Sequence, residues 1–301
     1  MTKYLLKIAL FFGIVALVDF GFGKTCEWLL LHAKGGQMKS ITQAALVQES
    51  DIIIMGSSRA NHHYVPSVLT DSLGVSVYNA GVDGNGIVLA SGLYAMMTNR
   101  YAPKVIIYDV EPAFDINVYS EDGNNTRYLG SLRPYFANDK IREIITRVDP
   151  VELYKNISSM FRYNSKVFDL VKDQFVVGGY VEDGFVPLQG AMTKEPEIKS
   201  KGEPSHTDPM KLEFFAEFVA ELSKSDTRLI VTASPKYGAV TSEVFEPVKE
   251  ICNKYGVEFW DYYCFPVFQK KELFKEQMHL NETGAKYYSA ILAQQLKNNL
   301  N

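Results

Sequence analysis

An uncharged stretch runs unbroken from Ile8 to Val18, with Lys3 and Lys7 ahead of it and Asp19 behind. Basic residues followed by an apolar run have the outline of a secretory signal. Counting from Leu5 to Phe22, with Lys7 snorkelling, reaches the ~20 residues needed to cross a bilayer. Helical character continues through TCEWLLLHA, which suits a retained signal anchor with a helical stem over residues 1–34. Gly21 and Gly23 offer a small-x-small site for the alternative, a cleaved signal peptide and a free periplasmic domain.

After Gly35-Gly36 the pattern changes to short apolar runs alternating with helical periodicity. IIIM after Asp51, VSVYN at 75–79 and VIIYDV at 105–110 read as strands covered on both faces. Leu89, Leu93, Met96 and Met97 mark one buried helix face between the second and third. From about 116 to 210 the rhythm stops. Aromatics, Asn, Gly and scattered charges take over, with a helix near 151–172, and the stretch reads as a lid-like insertion. RLIVTA at 228–233 and VEFWDYY resume the alternation, and a last helix follows Asn281, a suitable N-cap. Five strands interleaved with helices imply an α/β domain over 35–301 with a doubly covered parallel sheet.

Composition narrows the function more than the fold. The 301 residues are 47% hydrophobic and 22% charged, and 31 basic against 35 acidic side chains leave a net charge of −4. With no Lys/Arg block, the electrostatic footprint of a nucleic-acid binder is missing. Cys26, Cys252 and Cys264 show no spacing suited to zinc, so no metal site is expected. Cys252 and Cys264 are open to pairing outside the cytoplasm or to separate burial as thiols.

In parallel sheets chemistry collects beyond the carboxyl ends of the strands. There the first strand reads GSSRANHH: Gly56 permits a sharp turn, and Ser57 or Ser58 lies where strand yields to helix, a nucleophile's position. The second strand ends in YNAGVDGNG, where Gly81, Gly84 and Gly86 let backbone approach a ligand and Asn79 and Asn85 offer amide donors for an oxyanion. Near the C terminus His279 follows Glu276 by three residues, an imidazole base within reach of an orienting acid, as activating a serine requires. Arg59, His62, His63 and Arg133 are candidate substrate-binding side chains, Arg133 together with Arg127, Tyr128, Arg162 and Tyr163 in the insertion.

Taken in order, the small pair after strand one, the Gly turn after strand two and the acid-x-x-His before the closing helix resemble the first, second and fifth blocks of the SGNH (GDSL-type) hydrolase superfamily. The likeness covers about residues 51–115 and 228–298. The wording GSSRA, YNAGxDGNG and HLNxTGAxxY is similar to exported SGNH-like proteins of the Bacteroides type. The resemblance implies a flavodoxin-like three-layer sandwich, Ser58 as nucleophile, His279 as base, Glu276 as its orienter, Gly81 at the oxyanion, and no cofactor. It implies a serine esterase or acyltransferase acting on an acylated, O-acetylated envelope glycan or a small ester, held at the inner membrane facing the periplasm. The alternative is a catalytically inactive, membrane-tethered glycan-binding or assembly protein. Two departures stand out: the third block's Gly-x-Asn-Asp is replaced by YDVEPAFD, and Glu276 replaces the usual Asp.

Overall fold

A computed structural model describes residues 2–118, 125–175, 183–196 and 206–300. The chain opens with α1 (Thr2–Leu31) and α2 (Gly36–Leu46), then β1 (Ile52–Gly56), α3 (Ser58–His63), α4 (Pro66–Leu73), β2 (Val77–Asn79), α5 (Ile87–Met97), β3 (Val105–Asp109) and α6 (Pro112–Asp115). Next come α7 (Asp139–Val148), α8 (Glu152–Lys155), α9 (Ser159–Tyr163) and α10 (Val167–Lys172). The sheet resumes after α11 (Pro209–Leu222) with β4 (Arg228–Ala233), α12 (Glu246–Tyr255) and β5 (Glu258–Asp261). A small hairpin, β6 (Phe274–Glu276) and β7 (His279–Leu280), leads into α13 (Glu282–Leu300).

β1 to β5 form one parallel sheet in the order β2-β1-β3-β4-β5. Apolar runs make this arrangement stable because alternate residues point to opposite faces and both faces are covered. Ile53, Met55, Ile106, Tyr108 and Val231 belong to one hydrophobic cluster, filled by α1, α2, α5, α7, α11 and α12. Ile52, Ile54, Val105, Ile107 and Ile230 belong to a second, filled by α4 and α13. Asn281 caps α13, its Oδ1 accepting the Gly284 N–H at 3.0 Å. Cys26, Cys252 and Cys264 are all free thiols.

α1 is long and apolar enough to cross a bilayer, and its most apolar window has no buried residue. Such a helix is compatible with a signal peptide or a membrane anchor. Its C-terminal half behaves differently, burying Gly23, Cys26 and Leu30 against the domain.

Within the expected insertion, 119–124, 176–182 and 197–205 lie outside the described residues. The helix expected near 151–172 is broken into α8, α9 and α10. Local chemistry explains the breaks: Ser158 caps α9, and Asp19 of α1 takes the N–H groups of Ser159 and Met160 at 2.8 and 2.9 Å. Among the insertion's described residues, 183–196 reaches the end of β2 and α3, where Asp183 O accepts the Asn79 N–H and Val186 N–H donates to Asn61 O.

The turn from β1 into α3 depends on Gly56, at φ +141°. A Cβ there would stand 2.5 Å from the Asp109 carbonyl oxygen, which belongs to the neighbouring strand and cannot retreat. Gly56→Ala is therefore expected to destabilise the fold by about 1–3 kcal/mol or more, the range for a residue forced into such backbone; a lowered urea midpoint with unchanged slope is the readout.

Candidate active site

The structure brings three distant stretches of chain together over the carboxyl edge of the sheet. Ser58 is the first residue of α3, so its N–H has no intrahelical acceptor and its hydroxyl stands at the helix start. Ser58 Oγ lies 2.7 Å from His279 Nε2. On the other side of the ring, Nδ1 is hydrogen-bonded to Glu276 Oε1. That second contact follows from a hairpin: Glu276 and His279 are paired across β6 and β7, with only Gln277 and Met278 between them. Glu276 Oε2 also accepts the Met278 N–H at 2.9 Å, which fixes the carboxylate in place. Burial pushes the Glu276 carboxyl up, but the hydrogen bonds from His279 and Met278 outweigh it and hold it below the ordinary range. An ionised carboxylate therefore faces Nδ1 and favours the tautomer in which Nε2 is free to accept the serine proton.

Beneath Ser58 lies a layer of fully buried charge. Arg59 has no exposed surface. Its Nη1 donates to Glu111 Oε2 at 3.1 Å, its Nε to Ser234 Oγ at 3.1 Å and its Nη2 to Ser234 O, and its plane sits over the Tyr263 ring. Ser234 donates its hydroxyl to Asp109 Oδ2 at 2.7 Å and its N–H to Oδ1 at 2.9 Å. A hydroxyl has one proton to give and two lone pairs. With the proton on Asp109 and one lone pair taken by Arg59, the second is left for His63 Nδ1, 2.9 Å away. His63 therefore carries its proton on Nδ1, and its bare Nε2 accepts the Leu280 N–H at 3.0 Å. Burial, followed by the nearby Arg59 charge, drives the His63 pKa well down, in keeping with that neutral tautomer. Burial also pushes Asp109 up, only partly offset by Arg59. Asp115, pushed by burial up to about 7, serves elsewhere, accepting the Tyr108 hydroxyl and the first N–H of α5.

Several expected site residues are reassigned by these contacts. Arg59 and His63 form the floor rather than a substrate surface, because both side chains are fully buried and bonded inside the protein. Arg133 binds Glu152 with two hydrogen bonds and stacks on Phe161, so it holds the insertion together. Asn79 is fully buried and must satisfy its amide where water cannot reach. Both its N–H groups go to carbonyls, Ala60 O and Tyr64 O, and its Oδ1 takes the Gly81 N–H at 2.9 Å. Neither Asn79 nor Gly81 thus presents an N–H to an oxyanion here. Gly81 is required for another reason, since a Cβ would meet Asn61 N at 2.4 Å. Asn85 gives one N–H to Asp83 O and has a second to offer. Tyr128 and Tyr163 are core residues.

Of the candidate substrate-binding residues, His62 does reach the site, edge-on to the His279 ring at 5.5 Å between centroids. Its Nδ1 donates to Val186 O at 2.7 Å, and its Nε2 lies 3.4 Å from Asp83 Oδ1. A carboxylate only accepts, so making both contacts requires both ring protons. Burial opposes that charge, but the hydrogen bond to Asp83 and its negative charge outweigh it, and the His62 pKa is raised. Asp83 is lowered by His62 and Asn61 despite its own burial. Asp83, absent from the sequence-based expectation, also links the site to α2: Gln37 donates to its carbonyl oxygen at 2.9 Å. The only signal for it was its place in the Gly-rich turn. Among the described residues no group of three or more His, Cys, Asp or Glu is arranged to hold a metal ion.

No protein-family model and no curated protein matches the chain. Among solved structures, a candidate platelet activating factor from Streptococcus pneumonia aligns over 96% of this chain and 98% of its own, at 15% identity and a TM-score of 0.41. A gut microbial diltiazem-metabolizing enzyme aligns over 82% of this chain and 47% of its own, at 12% identity and a TM-score of 0.40. Likenesses at that level carry no chemistry across.

Arg59→Met removes the positive partner of two buried carboxylates, and a loss of roughly 3–5 kcal/mol of unfolding free energy is expected for an uncompensated buried charge, read by urea denaturation. The His62–Asp83 pair has its own pH signature. A raised His62 pKa contributes stability that is full below the ordinary 6.5 and fades as pH climbs through the raised value. A depressed Asp83 pKa contributes stability that is full above the ordinary 3.8 and fades as pH falls through the depressed value. His62→Gln should accordingly cost more stability at about pH 5 than at about pH 9; an equal loss at both pH values would refute the pairing.

Proposed function

We propose that the chain is a membrane-anchored serine esterase or O-acyltransferase of SGNH type, acting on an acylated, most simply O-acetylated, glycan of the cell envelope or on a small ester. The observation that carries this reading is the 2.7 Å contact between Ser58 Oγ and His279 Nε2, with Glu276 on the opposite ring nitrogen. The strand order 2-1-3-4-5, with apolar clusters on both sheet faces, supports a flavodoxin-like three-layer sandwich over 35–301. An unbroken α1 whose second half packs into the domain supports a retained anchor at residues 1–34, facing the periplasm, over a cleaved signal.

In the proposed mechanism His279 Nε2 takes the Ser58 proton as Oγ attacks the acyl carbon. The tetrahedral oxyanion forms beside the Ser58 N–H, with the spare Asn85 N–H as the side-chain donor. Collapse expels the alcohol, which leaves with the proton from His279, and an acyl-Ser58 ester remains. Water or a sugar hydroxyl, deprotonated by His279, then attacks that ester and frees Ser58. Glu276 keeps Nδ1 protonated throughout and stabilises the imidazolium. No cofactor enters these steps.

A second reading, an inert glycan-binding or assembly protein on the same scaffold, is favoured by one observation. The Gly81 N–H and both Asn79 N–H groups are engaged within the protein, and the loss of one oxyanion donor costs roughly 10²- to 10³-fold in rate.

Treatment of the purified chain with an activated fluorophosphonate separates the two readings. Labelling at Ser58 is expected, abolished by Ser58→Ala and slowed roughly 10³-fold or more by His279→Ala. A folded protein whose serine stays inert, with no difference between parent and variants, assigns the chain to the binders.

A further inference from the structure

α1 carries a charge, Asp19, directly behind its uncharged stretch, and such a group in or near a membrane needs partners. Its partners come from the insertion: Ser158 Oγ donates at 2.6 Å, Ser159 N–H at 2.8 Å and Met160 N–H at 2.9 Å. The start of α9 is therefore pinned at the level of residue 19 on the helix. The clamp extends upward, since Gly23 has no side chain and Ser159 packs directly onto it, and Gln174 Nε2 donates to Leu29 O at 2.8 Å. The insertion and α1 are hydrogen-bonded at both ends of this side.

At that level both parts are greasy and uncovered. Leu17 and Phe20 of α1 are 71% and 63% exposed. In the insertion Val151, Leu153, Tyr154, Ile157 and Met160 stand exposed within ten residues, Ile157 at 75%. Five exposed large apolar side chains within ten residues are what a contact surface presents. Residues 4–20 of α1 span roughly 25 Å at the helical rise, close to the ~30 Å of a hydrocarbon core. A bilayer that covers Leu17 and Phe20 ends near Asp19, where Met160 and Ile157 are held.

We propose that the segment from Val151 to Met160 is a membrane-seated foot, inserted at the headgroup–acyl boundary of the bilayer that α1 crosses. This rests on the membrane reading of α1 and extends it: the domain is held at two points, by a spanning helix and by an interfacial patch, which fixes its tilt. The occupant is lipid because exposed Met160 is bonded to Asp19, next to exposed Phe20 and two residues from exposed Leu17, so whatever solvates the shaft there reaches the start of the patch.

The test uses the full chain reconstituted in phosphatidylcholine vesicles with and without bromine on the acyl chains, which quenches nearby tryptophan. Single variants Ile157→Trp, Tyr154→Trp, Leu10→Trp and Val240→Trp are each compared with the parent, whose own tryptophans are Trp28 and Trp260. Val240, 92% exposed in a loop after β4, reports on water. Expected is a blue-shifted emission for Ile157→Trp and Tyr154→Trp and a bromine-dependent loss approaching that of Leu10→Trp, with Val240→Trp matching the parent. Quenching of Leu10→Trp alone overturns the foot while leaving the anchor, including the case in which a second copy covers the patch. An unquenched Leu10→Trp removes the membrane reading and the foot together.

Discussion

The structure around the candidate site turns on one buried charge. Arg59 follows Ser58 directly and has nowhere to go but down, into the layer under α3. A guanidinium out of water is tolerable only when its charge is met and its N–H groups are accepted. Asp109 at the end of β3, Glu111 just beyond it and Ser234 after β4 meet that requirement. Ser234 then dictates the His63 tautomer, and His63 holds the backbone of Leu280, the residue next to His279. Charge balance beneath the serine is thereby transmitted to the placement of its base. Two of the acidic side chains in YDVEPAFD have their role here, since Asp109 and Glu111 meet the Arg59 charge.

The insertion divides its labour. Residues 183–196 border the site, with Val186 O orienting His62 and Asp183 O bonded to the end of β2. The helices from α7 to α10 pack instead against α1, α2 and α5. Gln37 of α2, bonded to the Asp83 carbonyl, ties α2 to the residue that faces His62 beside His279.

Much of the fold was legible in the chain. β1 to β4 announced themselves as apolar runs, because a strand buried on both faces has no polar alternation to disguise it, whereas β5, EFWD at the sheet edge, is only partly buried. The helix near 151–172 misled because its periodicity is real but interrupted by Asn156 and Ser158, whose side chains compete for backbone groups. Glu276 and His279 stand close in sequence, but the β6–β7 hairpin that pairs them is too short to leave a pattern. Asn79 and Gly81 had the right chemistry for an oxyanion and were claimed by neighbours in the interior, which a linear text cannot reveal.

By itself, then, the sequence determined the alternation of strands and helices, the apolar leader, and the three stretches rich in Ser, Gly and His at the sheet's carboxyl edge. These are local properties, set by hydrophobic period and turn chemistry over a few residues. Only the tertiary structure decided that Ser58 and His279, 221 positions apart, come within a hydrogen bond. It also decided which of the neighbouring polar groups face the cleft and which are consumed below it. The physical reason is that a hydrogen-bonding group is defined by its partner, and in a parallel sheet the partners come from strands far apart in the chain.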